Sequence, residues 1–125
     1  MNIYLASGAS NRILIEAVRL LIENTFPFKI ISSWHRTPPI ENVTERAIID
    51  FREIDIADTV IAFYPYGLNG TICELAYSFC KNKHTLYVRP EDSQSEDPLI
   101  IGLFDPKFVF HNMNDLMNYL QGISK

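Results

Sequence analysis

Two carboxylates in this chain sit where the surrounding pattern does not ask for them. Glu74 closes the stretch Gly70-Thr71-Ile72-Cys73-Glu74, a glycine turn at which a strand hands over to a helix, and Asp50 interrupts an amphipathic helix twenty-four residues earlier. An oxocarbenium-like transition state calls for one carboxylate beside the anomeric carbon and a second acid for the leaving group. Such a pair, in a small α/β chain, points to work on a glycosidic bond, that of a nucleoside or nucleotide above all.

Each acid also has a plainer reading. Ala47, Phe51, Ile54 and Ala57 share one helical face, with Asp50 on its flank and Glu45, Arg52 and Glu53 directed elsewhere, as solvated residues. Asp50 is then either a rim aspartate reaching water or a carboxyl aimed into a cleft with a pKa raised by desolvation. Thr71 through Glu74 matches a capping box, and the wheel sets Glu74 opposite Ile72, Leu75, Ala76 and Phe79. A first-turn glutamate after a parallel strand nevertheless lies at the ligand edge of a sheet, beside Gly67 and Gly70.

Around these acids lie candidate binding residues. Ser7, Gly8, Ser10, Asn11 and Arg12 form a small, hydroxyl-rich turn before a helix, suited to phosphate or ribose with Arg12 as counter-charge. It is neither a Walker loop nor a full G-x-G-x-x-G turn, and an ordinary N-cap at Ser10 explains it equally well. Tyr4 alternates with Ile3 and Leu5 and is either core or a hydroxyl reaching the cleft. Trp34 ends a strand and either stacks on a base or packs.

The elements that must position these groups alternate along the chain. Strands are expected at Asn2 to Ala6, Phe28 to Ser33, Thr59 to Tyr64, His84 to Val88 and Lys107 to His111. Helices are expected from about Ser10 to Asn24, with Ile13, Ala17, Leu20 and Leu21 as the buried stripe, and over Val43 to Ala57, Thr71 to Lys81 and Asn114 to Leu120. Pro38-Pro39 and Pro65-Tyr66-Gly67 stop elements, and Glu91 to Pro98 reads as a loop. The expectation is a single domain over residues 1–125, an α/β fold with one five-stranded, mostly parallel sheet of flavodoxin-like or Rossmann-like type. In such sheets ligands sit beyond the carboxyl ends of the strands, at the switch point.

Bulk properties narrow the partners. A net charge of −4 with scattered Lys and Arg argues against a long nucleic acid, which needs a clustered basic face. Cys73 and Cys80 lie seven residues apart on one helix, about 10 Å along its axis, too far for a disulfide. His35, His84 and His111 are dispersed, so no metal and no cofactor are expected. No basic leader or long apolar span is visible, and the chain reads as cytoplasmic with no membrane partner. Ile49 and Ile56, together on the outer face of their helix, are an apolar pair for another subunit.

At these same residues the chain resembles the nucleoside 2-deoxyribosyltransferase family, which includes deoxynucleotide N-glycosidases. Ile3-Tyr4-Leu5-Ala6-Ser7 with Asn11-Arg12 looks like the family's first strand and loop, and Ser33-Trp34 like the end of its second strand. Asp50, followed by Ile54 and Ala57-Asp58-Thr59-Val60, resembles its aspartate helix, and Gly70-Thr71-Ile72-Cys73-Glu74-Leu75-Ala76-Tyr77 its nucleophile segment. The resemblance implies Glu74 as nucleophile, Tyr4 orienting it, and Asp50 holding or protonating the departing base. It implies substrate contacts from Ser7, Gly8, Ser10, Asn11, Arg12, Trp34, Asn69, Gly70 and Thr71, and a homodimer or larger assembly. Leu68 stands where many transferases carry a sugar-binding aspartate, and 98–101 offers no counterpart to their subunit-donated asparagine. Transfer to a second base and hydrolysis both stay open, as does a 5′-monophosphate substrate. Rival readings are a phosphoribohydrolase of the cytokinin-activating type and a nucleotide-sensing module without turnover.

Overall fold

The computed structural model describes residues 1–36, 42–64, 70–90 and 104–124. Their strands are β1 (Asn2–Ala6), β2 (Lys29–Ile30), β3 (Thr59–Phe63), β4 (His84–Val88) and β5 (Val109–Phe110). Their α-helices are α1 (Arg12–Thr25), α2 (Val43–Ile56), α3 (Gly70–Cys80) and α4 (Met113–Ile123). The sheet order is β2-β1-β3-β4-β5, and every neighbouring pair is parallel. This is the expected α/β fold, with a sheet that is wholly parallel among the described residues. The chain reverses its direction of travel across the sheet between β1 and β3, which defines the switch point.

Both faces of the sheet are covered, so its central strands are continuous apolar runs. Side chains alternate along β1. Ile3 and Leu5 join Ile15, Val18, Ile22, Ile61, Leu86, Leu116 and Leu120 on the α1 and α4 side. Tyr4 and Ala6 join Ile54, Ala57, Val60, Ala62, Leu75 and Tyr87 on the α2 and α3 side. That alternation sets the Tyr4 phenol beneath α2 and α3, the helices that carry Asp50 and Glu74.

Several sequence expectations need correction. The buried stripe of α1 is Ile15, Val18 and Ile22. Ile13, Leu20 and Leu21 are 88%, 48% and 45% exposed, and Ala17 is exposed as well. Apolar residues nearly encircle this helix, and the β-branched side closed on the sheet. β2 and β5 are two-residue strands, with a 3₁₀ turn over Pro106–Phe108 taking the start of the expected fifth strand. On α2, Ala47 is exposed while Ile54 and Ala57 are buried. Ile56 is exposed and Ile49 half-buried. Asn42 caps α2 by accepting from the Glu45 amide at 3.1 Å. Cys73 and Cys80 are exposed free thiols. Residues 38–39, 65–67, 91–98 and Asn69 lie outside the described residues. No helix among the described residues is long and apolar enough to cross a membrane.

Candidate active site

Tyr4 and Glu74 form the centre of the site. Tyr4 is fully buried in β1. Glu74 is the fifth residue of α3, just past its first turn, and it shares a helical face with buried Thr71 and Ser78, three residues before and four after. The residue as a whole is half-buried, and its Oε2 atom is buried. The sequence wheel had turned Glu74 away from the core because the inward side of α3 is built partly from small polar residues. The capping-box reading also fails, since α3 already includes Gly70 and Thr71 is its second residue.

Neither Tyr4 Oη nor Glu74 Oε2 has a hydrogen-bond partner among the described residues. The phenol is still near enough to act on the carboxyl. Burial pushes the Glu74 pKa up to about 8, a rise opposed by the Tyr4 hydroxyl and the Arg46 charge and reinforced by Asp50 and Glu53. Tyr4 is raised well above the ordinary range, by burial first and then by the charges of Glu74 and Asp50. Two buried polar groups without partners cost stability, about 1–3 kcal/mol for each neutral group. Such a cost, concentrated on an acid and a phenol at a strand-helix junction, marks a site prepared for something else.

Asp50 approaches from α2. Arg46, one turn earlier, donates from Nε and Nη2 to Asp50 Oδ1 at 2.9 and 2.5 Å. Its Nη2 also donates to Ser33 Oγ at 3.1 Å and lies 3.6 Å from Glu53 Oε1. Glu53 in turn accepts from the Ser33 amide at 3.1 Å. Arg46, Asp50 and Glu53 follow i, i+4, i+7 spacing, so one face of α2 carries them all. Their side chains are only 14–19% exposed, which corrects the reading of Glu53 as a solvated residue. Burial raises Asp50, with Arg46 opposing the shift. Glu53 is likewise raised by burial and held down by its Ser33 contacts.

The loops at the carboxyl ends of β1 and β2 complete the rim. Ser7 Oγ donates to Phe63 O at 3.1 Å and accepts from Asn11 Nδ2 at 2.9 Å, tying the ends of β1 and β3 together. Gly8 is buried and Ser10 exposed. Neither the 3₁₀ turn Ala9–Asn11 nor the start of α1 has a side-chain cap, so Ser10 is not the N-cap allowed for above. Arg12 Nε donates to His35 O at 3.1 Å. Trp34 Nε1 donates to Leu5 O at 2.7 Å, and the half-buried ring packs against both core layers. Thr71 is buried, while a Cβ on Gly70 would meet nothing within 4 Å, so packing does not explain that glycine.

A buried relay that the sequence did not announce holds the Trp34 loop. Leu5 N donates to Ser32 Oγ at 3.1 Å, Ser32 Oγ bonds His35 Nε2 at 2.7 Å, and His35 Nδ1 meets Glu16 Oε2 at 2.8 Å. Burial lowers the His35 pKa despite Glu16, favouring the neutral ring. Ser32 is fully buried, so this arrangement braces the loop and offers no nucleophile to solvent.

The structure thus brings Tyr4, Glu74 and Asp50 into one electrostatically coupled group on the α2 and α3 side of the switch point. Ser7, Gly8, Asn11, Arg12, Trp34, Gly70 and Thr71 belong to the segments at that same edge. Arg46, Glu53 and Ser33 are the members that sequence reasoning missed. Among the described residues no group of three His, Cys, Asp or Glu side chains is arranged to hold a metal ion.

No family model matches the chain, and no curated protein matches it in sequence. Solved structures do match in fold. A CMP N-glycosidase of Clostridium botulinum, BcmB, is similar with a TM-score of 0.68 and 18% identity, covering 97% of this chain and 99% of that one. A conserved protein of Enterococcus faecalis V583 is similar with a TM-score of 0.55 and 16% identity, covering 93% of this chain and 84% of that one. The resemblance seen in the sequence therefore has a counterpart in three dimensions, at the level of fold.

Proposed function

We propose that this protein is an enzyme that cleaves the N-glycosidic bond of a nucleotide or nucleoside. Substrates of the 2′-deoxy series, as nucleosides or 5′-monophosphates, are the finer reading. The observation that carries it is that Tyr4 Oη and Glu74 Oε2 are both buried without a hydrogen-bond partner among the described residues, while each feels the other and the Asp50 charge. The fold shared with a CMP N-glycosidase supports the same class of reaction.

In this reading ionised Glu74 attacks the anomeric carbon as the bond to the base breaks, and the bonding electron pair leaves on the base nitrogen. Asp50, oriented by Arg46, supplies or steers the proton that the base takes up. General acid assistance of this type contributes typically about 10²–10⁴-fold. Tyr4 donates its hydroxyl to the carboxylate and fixes the attacking oxygen. Water, or a second base, then displaces the glutamate from the sugar by attack at the same carbon, so configuration is retained. The buried setting strengthens each of these charge interactions, because little water competes.

Trp34, whose indole N–H is fixed on Leu5 O, offers a ring beside the base. In this reading Ser7, Gly8, Ser10, Asn11 and Arg12 contact the sugar and any 5′-phosphate, together with Gly70 and Thr71. The experiment is direct: incubate the protein with deoxynucleosides, ribonucleosides and their 5′-monophosphates, and separate free base by chromatography. Release that disappears in Glu74→Ala supports the assignment. Release that survives in Glu74→Ala removes the proposed nucleophile. Binding of a nucleotide, read as a raised melting temperature, with no base released from any substrate would favour a sensing module instead. Addition of a second base separates exchange from hydrolysis.

A further inference from the structure

β1 runs to Ala6 while its neighbour β2 ends at Ile30, so the last backbone groups of β1 on that side need other partners. Side chains supply them. The Leu5 amide donates to Ser32 Oγ at 3.1 Å, and Leu5 O accepts from Trp34 Nε1 at 2.7 Å. Ser32 and Trp34 thus extend the ladder past β2, at the residue that follows Tyr4. His35 touches both. Its Nε2 bonds Ser32 Oγ at 2.7 Å, and its ring meets the Trp34 ring edge-on, with centroids 5.2 Å apart.

The direction of each bond fixes the state of the His35 ring. An amide only donates, so Ser32 Oγ accepts from Leu5 and turns its own hydrogen to His35 Nε2. That nitrogen is then the acceptor, and Nδ1–H donates to Glu16 Oε2 at 2.8 Å. A second proton, on Nε2, would face Ser32 Oγ and displace the serine hydrogen. Ser32 is fully buried and has no other acceptor among the described residues, so that hydrogen would lose its bond. The charges around the ring are Glu16 and Arg19 of α1 and Arg36 of its own loop, with Arg46 and Glu53 of α2 reaching the neighbouring Ser33. Burial disfavours the charged ring, Glu16 opposes, and Arg36 and Arg19 add to burial.

The same residue also touches the other half of the rim. His35 O accepts from Arg12 Nε at 3.1 Å. This uses one guanidinium N–H and leaves the two Nη groups of Arg12 without a partner among the described residues. One residue therefore holds an aromatic ring and a cation at the carboxyl ends of β1 and β2. The ring suits a base, and the free fork suits a sugar hydroxyl or a phosphate.

We propose that His35 is the positioning residue of the substrate seat: its neutral ring, held between Ser32 and Glu16, sets Trp34 and Arg12 together, and a proton on Nε2 loosens both. The assignment rests on the reading of this edge as a seat for a nucleoside or nucleotide. His35 itself touches no substrate, so its removal acts on binding and leaves the chemical step to Glu74, Asp50 and Tyr4.

Trp34 is the sole tryptophan of the chain, so its fluorescence reports on the seat without any turnover. Protonated imidazole quenches a neighbouring indole far more than the neutral ring does. Acidifying the full chain from about pH 8 to about pH 4 is expected to dim the emission in a step centred below the ordinary histidine value of 6.5, with circular dichroism unchanged. His35→Gln and His35→Asn, which imitate Nε2 and Nδ1 respectively, are expected to lack that step. Affinity for a deoxynucleoside 5′-monophosphate is read from the same emission in a Glu74→Ala background, which keeps the substrate intact. At neutral pH each His35 variant is expected to bind roughly 3–10-fold more weakly, the value of one hydrogen bond. With Glu74 present, KM rises by the same factor and kcat changes by less than about twofold. The ratio of wild-type to variant affinity, in which the titration of the phosphate and of the Asp50 group cancels, falls towards one as acid protonates His35.

A wild type without the step, or a step that persists in both variants, overturns the proposal. A ratio that stays at one overturns this assignment alone, since base release would still support the reaction. A ratio that grows in acid overturns it too, because the imidazolium would then be attracting the ligand. A step accompanied by neither binding nor base release from any nucleoside or nucleotide overturns the function proposed above, and this assignment with it.

Discussion

The buried acid at the start of α3 ties stability to pH in a way that one substitution exposes. Glu74 has a native pKa of about 8 against an ordinary 4.5. The native protein therefore keeps a proton that the unfolded chain gives up near pH 4.5. For a raised pKa the associated stability is fully present below the unfolded value and is lost as pH rises through the native one. Each pKa unit corresponds to about 1.4 kcal/mol, so complete loss approaches about 5 kcal/mol, of which about 3.5 kcal/mol falls between pH 5 and pH 8. Glu74→Gln keeps the shape and remains neutral, so it removes this contribution while other groups titrate unchanged. Urea unfolding of both proteins at intervals from pH 5 to 8 measures the difference. The variant is expected to gain on the wild type steadily with pH, by roughly 2 M in the urea midpoint over the range. Parallel curves would refute the reasoning, since they would mean that Glu74 ionises as freely in the native protein as in the unfolded chain.

Other consequences follow from the same geometry. Tyr4→Phe deletes a buried hydroxyl that has no hydrogen-bond partner among the described residues, so it is expected to hold or raise stability by up to about 1–2 kcal/mol while lowering kcat by about 10²-fold; calorimetry and base-release kinetics check the two halves. Asp50→Asn is expected to reduce kcat about 10²–10⁴-fold with a smaller change in KM, measured on the same substrates. Arg46→Met leaves Asp50 and Glu53 without their cation and is expected to destabilise by about 1–3 kcal/mol in urea, a loss that shrinks as acid protonates the carboxyls. With Glu74 as the proposed nucleophile, attack needs its ionised form, and since burial raises its pKa to about 8, kcat/KM for the free enzyme is expected to climb from pH 6 towards a limb near pH 8. A rate profile that is flat from pH 6 to 9 would contradict that.

How far the sequence could be read depended on whether a feature was local. β1 and β4 are short strand-forming runs closed by Ser7-Gly8 and by Arg89-Pro90, and their expected boundaries coincide with those in the structure. β2 was overestimated because its apolar run continues past Ile30, whereas the chain there bends into the Ser32–His35 relay, a contact with α1 that periodicity does not encode. The wrong stripe was chosen on α1 because two apolar faces compete and only the tertiary fold selects Ile15, Val18 and Ile22. Glu74 was legible as a candidate from its turn. Its inward direction was not, since Thr71 and Ser78 give the buried side of α3 a polar look. Glu53 was missed for a similar reason: its partner, the Ser33 amide, is twenty residues away in the chain. The i, i+4, i+7 spacing of Arg46, Asp50 and Glu53 was the available signal for a charged face turned inward.

Whether Glu74 becomes covalently attached to a sugar is the question on which the functional reading turns. Rapid acid quenching of the protein with a 2′-deoxynucleoside or its 5′-monophosphate, followed by peptide mass spectrometry, answers it. The expected result is a sugar-sized mass increase on the peptide carrying Glu74, absent in Glu74→Gln and decaying when water or a second base is allowed to react. Free base accumulating with every peptide unmodified at all quench times, or an adduct on another residue, would contradict the account.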